Sequence, residues 1–146
     1  MERFKIFTVL IAKISRNIRR IKSEVMQEYG LKSPHVSCLY YLYKEASLTA
    51  KELSDICDED KAAISRSIVF LEANGYLRCD SDARKRYKAP LELTPAGYGL
   101  ASVIAKKIDE VFDFVGQGLA EEDRIVFYRS LELISKRLDE FYEKNI

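Results

Sequence analysis

Between Ser47 and Gly75 the chain carries two sets of helix start and stop signals in such close succession that only a pair of short helices across a tight turn fits. Thr49 can cap a helix from Ala50 to about Cys57, with Glu52 placed three residues on as in a capping box. Asp58 or Asp60 can cap the next helix, which runs to Asn74 and stops at Gly75. Within it Ile64, Ile68 and Leu71 recur at steps of four and three, so they share one face, and that face must bury against the preceding helix. The burial fixes what points outward: Ala62 and Arg66 on the opposite side, Ala63 and Ser65 on its flanks, Lys61 near the start.

The flanking sequence frames this pair. A stripe of Phe4, Phe7, Ile11, Ile14, Ile18, Ile21 and Val25 predicts one long amphipathic helix ending near Gly30. Ser33 followed by Pro34 reads as an N-cap with proline at the first helical position, opening a helix through about Glu45 whose core face is Leu39, Leu42 and a neighbouring tyrosine. Ser47-Leu48 reads as a short link. After Gly75 the period changes: Tyr76 to Cys79 and Ala89 to Leu93 predict two short strands joined by the charged loop Asp80 to Lys88. Thr94-Pro95 opens a fifth helix with Leu100, Ile104, Ile108, Val111 and Val115 on one face, fraying at Gly116 and Gly118. A sixth, from about Glu121, carries Phe127, Leu131, Ile134, Leu138 and Phe141, and its acidic start suits a positive helix end.

Composition excludes several classes. A chain of 146 residues, 47% hydrophobic and 32% charged, is globular and sized for one core. No apolar run approaches the roughly 20 residues that cross a bilayer, so no membrane partner is expected. Cys38, Cys57 and Cys79 are odd in number and lack CxxC spacing, which points away from a disulfide framework and toward a cytoplasmic location. A single His leaves no zinc site, and no Ser-His-Asp set, carboxylate pair or phosphate-cradling glycine loop is present, so neither catalytic residues nor a cofactor are expected. The net charge of +1 hides an asymmetry: Asp60 to Lys88 holds seven cations against four anions, or +3, whereas Leu119 to Ile146 holds five against seven, or −2.

Two short helices followed by a basic hairpin make the winged helix-turn-helix, a mainly α fold with a small β-hairpin wing. The major groove of duplex DNA admits one helix, whose first turns reach base edges. Lys61, Ala62, Ala63, Ser65 and Arg66 are therefore the candidate DNA-binding residues: Arg66 for guanine or phosphate, Ser65 for phosphate or base, the alanine methyls for a thymine methyl. The cluster Arg84, Lys85 and Arg86 at the hairpin tip adds candidate backbone contacts.

The segments LTAKELSD (Leu48 to Asp55), DKAAISRSIVFLEANGYL (Asp60 to Leu77) and LTPAG (Leu93 to Gly97) closely resemble the MarR family of bacterial and archaeal regulators. The resemblance implies one MarR-like domain over 1–146, with a DNA-binding lobe at 31–94 and dimerisation helices at 1–30 and 95–146. It implies a homodimer, a repressor on a pseudo-palindromic operator with half-sites about 34 to 36 Å apart. Family members place an Asp-x-Arg at the wing tip; here Asp82-Ala83-Arg84 has that spacing but lies further from LT than expected, and counting forward from Arg78 selects Arg86 instead. Val69 and Phe70 stand where relatives carry polar or basic residues, and Phe70 is expected to pack against the wing.

The family's small aromatic or phenolic effectors make Arg16, His35 and Tyr40 candidate ligand contacts, with Tyr41 and Tyr43 as an apolar wall. Two other readings stay open. One is a winged helix used as a protein-interaction module, which exposed Val69 and Phe70 would favour. The other is a cysteine-based redox-sensing regulator, although no cysteine lies near the start of the first helix; Cys38 reads as a buried small hydrophobe, Cys57 and Cys79 as more exposed.

Overall fold

The computed structural model describes residues 2–57, 59–79 and 88–146. It contains two compact units, Met1–Ile108 and Asp109–Ile146. The first helical run, α1, comprises an α-helical start at Arg3–Lys5, a π-helical stretch at Ile6–Ile11 and an α-helical body at Ala12–Val25. A single 3-10 turn at Gln27–Tyr29 follows. Then come α2 (Ser33–Lys44), α3 (Ala50–Cys57), α4 (Lys61–Ala73), the strands β1 (Leu77–Cys79) and β2 (Leu91–Leu93), α5 (Pro95–Gly116) and α6 (Glu121–Asn145).

The opening helix differs from the uninterrupted one that its stripe predicts. Four of the six residues in Ile6–Ile11 are β-branched, which crowds a regular α-helical turn, and the Thr8 hydroxyl donates to the Phe4 carbonyl at 2.8 Å. A wider π turn accommodates both. The helix then stops at Val25 because Met26 turns its side chain into the core, where it is fully buried. Gly30, at φ 69, closes the following turn in the left-handed region that glycine tolerates best.

The core of the first unit is built from α2, α3, α4, the sheet and the first half of α5. Leu39, Leu53, Ile64, Leu71, Leu91 and Ile104 are its fully buried centre, and Leu39 and Leu42 supply the α2 face expected of them. Helix α2 begins one residue earlier than the Ser33-Pro34 signal suggests. Lys32 is the N-cap, its carbonyl accepting the Val36 N–H at 3.1 Å, and Ser33 is already helical with its hydroxyl buried and unpartnered. Thr49 caps α3 in a reciprocal box: its hydroxyl accepts from the Glu52 N–H at 3.2 Å, and its own N–H donates to the Glu52 carboxylate at 2.8 Å.

The strands are shorter than the sequence suggests, and they pair antiparallel with Leu77 opposite Leu93, Arg78 opposite Glu92 and Cys79 opposite Leu91. Ser47-Leu48 does more than link. The Leu48 carbonyl accepts the Leu91 N–H at 2.8 Å and Thr49 bridges Pro90, so the end of the α2–α3 connection forms a third rung beside β2. Periodicity could not reveal this, because a one-rung partner leaves no alternation to read.

The close of α4 and the start of α5 lock together. Gly75 (φ 77) ends α4, with its N–H on the Glu72 carbonyl and the Tyr76 N–H on the Leu71 carbonyl. The Thr94 hydroxyl donates to the Gly75 carbonyl at 2.6 Å and accepts the Gly97 N–H at 3.0 Å, so one side chain caps α5 and ties it to the exit of α4. Gly97 lies directly against the Tyr76 backbone, and a Cβ there would overlap the Tyr76 carbonyl.

In the second unit no residue of α6 is buried; Leu133, Ile134, Leu138 and Phe141 line a shallow apolar groove on it. Among the described residues no helix is long and apolar enough to cross a membrane. Gly97→Ala should lower the stability of the first unit by about 1 to 3 kcal/mol, since a backbone clash outweighs the gain in helix propensity. Urea unfolding checks it; a midpoint equal to or above wild type contradicts the close approach.

Candidate nucleic-acid interface

Helix α4 is anchored at its start by Asp60, the one of the two candidate caps that the described residues contain, whose carboxylate accepts the Ala63 N–H at 2.6 Å. Its inner face consists of Ile64, Ser67, Ile68 and Leu71, all buried, and the Ser67 hydroxyl is satisfied within the helix by the Ala63 carbonyl at 2.9 Å. Burying three aliphatic side chains this fully contributes about 1.5 to 3 kcal/mol each, which sets the rotation of the helix against α2 and α3. The outer face follows by spacing: Ala62, Ser65, Arg66 and Val69 are exposed at i, i+3, i+4 and i+7. Lys61 is exposed in the first turn, and Ala63 is half-buried on the flank.

The candidate interface therefore presents two cations, a hydroxyl and small methyl groups near the N-terminal end of a rigidly backed helix. Arg78 on β1 and Lys88 are exposed nearby in sequence. The wing-tip candidates Arg84, Lys85 and Arg86, and the Asp82 that would brace one of them, lie outside the described residues.

Phe70 is placed differently from the expectation that it packs on the wing. Its ring stacks on His35 of α2, centroids 4.1 Å apart and planes 2° from parallel. Residues 35 positions apart on different helices give no spacing signal, so the stack was not legible in the sequence. His35 is engaged on its edge as well: Nδ1 accepts the Lys32 N–H at 3.1 Å and completes the cap of α2. Burial, aided by the Lys32 charge, holds its pKa below the ordinary value of 6.5.

The three effector candidates are not joined to one another by any hydrogen bond, ion pair or ring contact among the described residues. Arg16 is exposed on α1. Tyr40 packs edge-to-face on Tyr41 at 5.3 Å, with the Lys44 ammonium 5.6 Å above its ring. Tyr43 pairs instead with Tyr98 of α5 at 5.0 Å. Cys38 is fully buried, and Cys57 and Cys79 are half-buried. Among the described residues no group of His, Cys, Asp and Glu could hold a metal ion.

No family model matches the chain, and no curated protein matches it by sequence. Solved structures do match. A MarR family regulator from Neisseria meningitidis superposes with a TM-score of 0.85 over 100% of both chains at 18% identity. A MarR/EmrR family transcriptional regulator from Acinetobacter sp. ADP1 gives 0.83 at 19% identity, covering 96% of this chain and 99% of that one. The MepR protein of S. aureus, solved in complex with DNA, gives 0.79 at 18% identity over 94% and 99%. The fold is that of the MarR regulators. In this chain the helix following the tight turn is α4, and the short antiparallel pair β1–β2 comes directly after it.

The His35 cap carries a pH dependence. The folded pKa is depressed, so the unfolded chain takes up a proton first, and stability present above pH 6.5 is lost as pH falls through that value toward the folded pKa. Thermal unfolding of wild type should weaken over this window more steeply than that of His35→Asn, which keeps a short acceptor near the Lys32 N–H but does not titrate. Parallel curves for the two proteins would remove His35 as the cause.

Proposed function

We propose that this chain is a homodimeric, sequence-specific double-stranded DNA-binding transcriptional regulator, acting as a repressor, with α4 as the helix that enters the major groove. The observation that carries the reading is the two-sidedness of α4: Ile64, Ile68 and Leu71 buried behind it, Ala62, Ser65 and Arg66 free in front. An arginine and a serine one position apart suit a base edge and an adjacent phosphate. The cations Arg84, Lys85 and Arg86 supply sequence-independent attraction to the backbone. That MepR was solved with DNA on the same fold supports the assignment.

The dimer rests on exposed apolar surface. Phe4 of α1 is 72% exposed, and on α6 Leu138 and Phe141 are 60% and 62% exposed. On a lone subunit each of these patches would stand in water, and monomers of this size avoid large exposed apolar patches. A twofold dimer would present two α4 helices to successive major grooves, about 34 Å apart, on a pseudo-palindromic site.

Arg66→Ala should cost about 1 to 3 kcal/mol on the preferred sequence and narrow the gap between specific and non-specific DNA. Neutralising Arg84, Lys85 and Arg86 together should weaken all duplexes alike and flatten the dependence on salt. Gel shifts at two salt concentrations read both. Binding unchanged in both variants contradicts the assignment and favours a protein-interaction module, for which exposed Val69 is the side chain to change next. Separately, sedimentation should find a dimer in wild type and a monomer in Leu138→Glu/Phe141→Glu; a monomeric wild type removes the twofold model without touching the α4 assignment.

A further inference from the structure

We infer that Val69 is a base-reading residue, which with Ala62 and Arg66 selects a half-site whose central G·C pair is flanked on both sides by T·A pairs, each thymine being recognised through its C5-methyl group. The inference rests on the reading of α4 as the helix that enters the major groove and names the base chemistry that helix selects. It starts from the composition of the outward face. Ala62, Ser65, Arg66, Val69 and Ala73 are all exposed, and only Arg66 among them is charged. A helix face kept in water is ordinarily lined with charged and polar groups. Helix α3, next to it in the chain, follows that rule: its exposed residues are Lys51, Glu52, Asp55 and Ile56, three of them charged.

Val69 is held outward from both sides. Ile68 before it is buried, and the Phe70 ring after it is stacked on His35 with centroids 4.1 Å apart, so a rotation of α4 that hid Val69 would withdraw Ile68 from the core and separate the two rings. The side chain is 57% exposed and has no hydrogen-bonding atom, so a phosphate oxygen gains nothing from it. The apolar group that a base edge projects into the major groove is the thymine C5-methyl, and burying an alanine or valine methyl against it is favourable. Charge sets the occupant of this face. Lys61 and Arg66 stand among the methyl groups, and Asp60 to Lys88 carries seven cations against four anions, so the matching surface combines methyl groups with anions, as the major groove of T·A-containing DNA does.

Spacing orders the contacts. Residues three to four apart on a groove-bound helix meet successive base pairs. Ala62, Arg66 and Val69 are separated by four and three positions, which puts the guanidinium, bidentate to guanine O6 and N7, between the two methyl contacts. Side-chain length follows the same geometry. The N-terminal turn lies deepest in the groove, where the Ala62 methyl suffices, and about two turns on the larger isopropyl group of Val69 spans a wider gap. Ser65, beside Arg66, is left for a phosphate.

Random duplex DNA is selected on the purified full-length protein. The enriched duplex is then remade with deoxyuridine for single thymines, which removes the methyl and keeps every base-pairing atom, and with 7-deazaguanine, which removes the N7 acceptor. Deoxyuridine on either side of the contacted guanine should weaken binding about 3- to 5-fold, the factor for one buried methyl group, and 7-deazaguanine at least as much. In Val69→Ala, a change at an exposed helical site that leaves the core untouched, one of the two deoxyuridine penalties should disappear while the other and the 7-deazaguanine penalty persist. An enriched sequence with no guanine between T·A pairs, tolerance of deoxyuridine at both positions, or a Val69→Ala protein with both penalties intact overturns the inference and leaves α4 as the DNA-binding helix. Failure to enrich any duplex overturns both, and the uncharged face then belongs to a protein partner.

Discussion

The rotation of α4 about its own axis is the constraint on which the rest of this structure depends. A helix has no intrinsic preference for which side faces water; here Ile64, Ile68 and Leu71 decide it by leaving solvent together. A turn of roughly 100° would bring Arg66 against α2 and α3, where its charge would meet a cost of several kcal/mol unpaired. The caps then fix the helix along its axis. Asp60 sets where it begins, the Gly75 turn where it ends, and Thr94 fastens that end to α5. A surface meant to match a fixed partner geometry needs all three restraints, because a loosely held helix would lose affinity in ordering itself.

Much of this was legible because the signals are local. The Thr49–Glu52 box, the Gly75 exit, the Thr94-Pro95 start and the four-three spacing of Ile64, Ile68 and Leu71 are each contained within about two helical turns, and each is in place. What the sequence hid is what depends on tertiary proximity. The His35–Phe70 stack and the Leu48–Leu91 rung join residues on different elements, and no periodicity encodes them. The π turn at Ile6–Ile11 is an intermediate case. Its β-branched run and Thr8 were visible, but a stripe drawn at α-helical spacing passes over a local widening.

Charge is distributed unevenly along the chain: cations are in excess in α1 and between Asp60 and Lys88, anions from Leu119 to Ile146. Positive residues gather between Lys61 and Lys88, while α6 is acidic at its first turn and apolar along a groove. Under the proposed function, exposed Leu138 and Phe141 would meet another apolar surface and exposed Arg66 a phosphate-bearing one.

The interior of the first unit contains small polar side chains among its aliphatic ones. An aliphatic side chain at position 38 would fill the space between α2 and α4 as well as a thiol and would leave no group to ionise. Ser37 and Ser67, both buried, are likewise small polar residues where alanine would fit, and one of them holds the Lys22 ammonium. Keeping a lysine half-buried beside two thiols costs desolvation, which shows in the lowered pKa of its ammonium. The neutral Ser37 hydroxyl accepts from the ammonium, and the Glu59 carboxylate offsets part of that cost. The Ser54 hydroxyl, donating to the Glu59 carbonyl at 2.8 Å, and the Asp60 carboxylate, accepting the Ala63 N–H at 2.6 Å, hold the passage from α3 to α4.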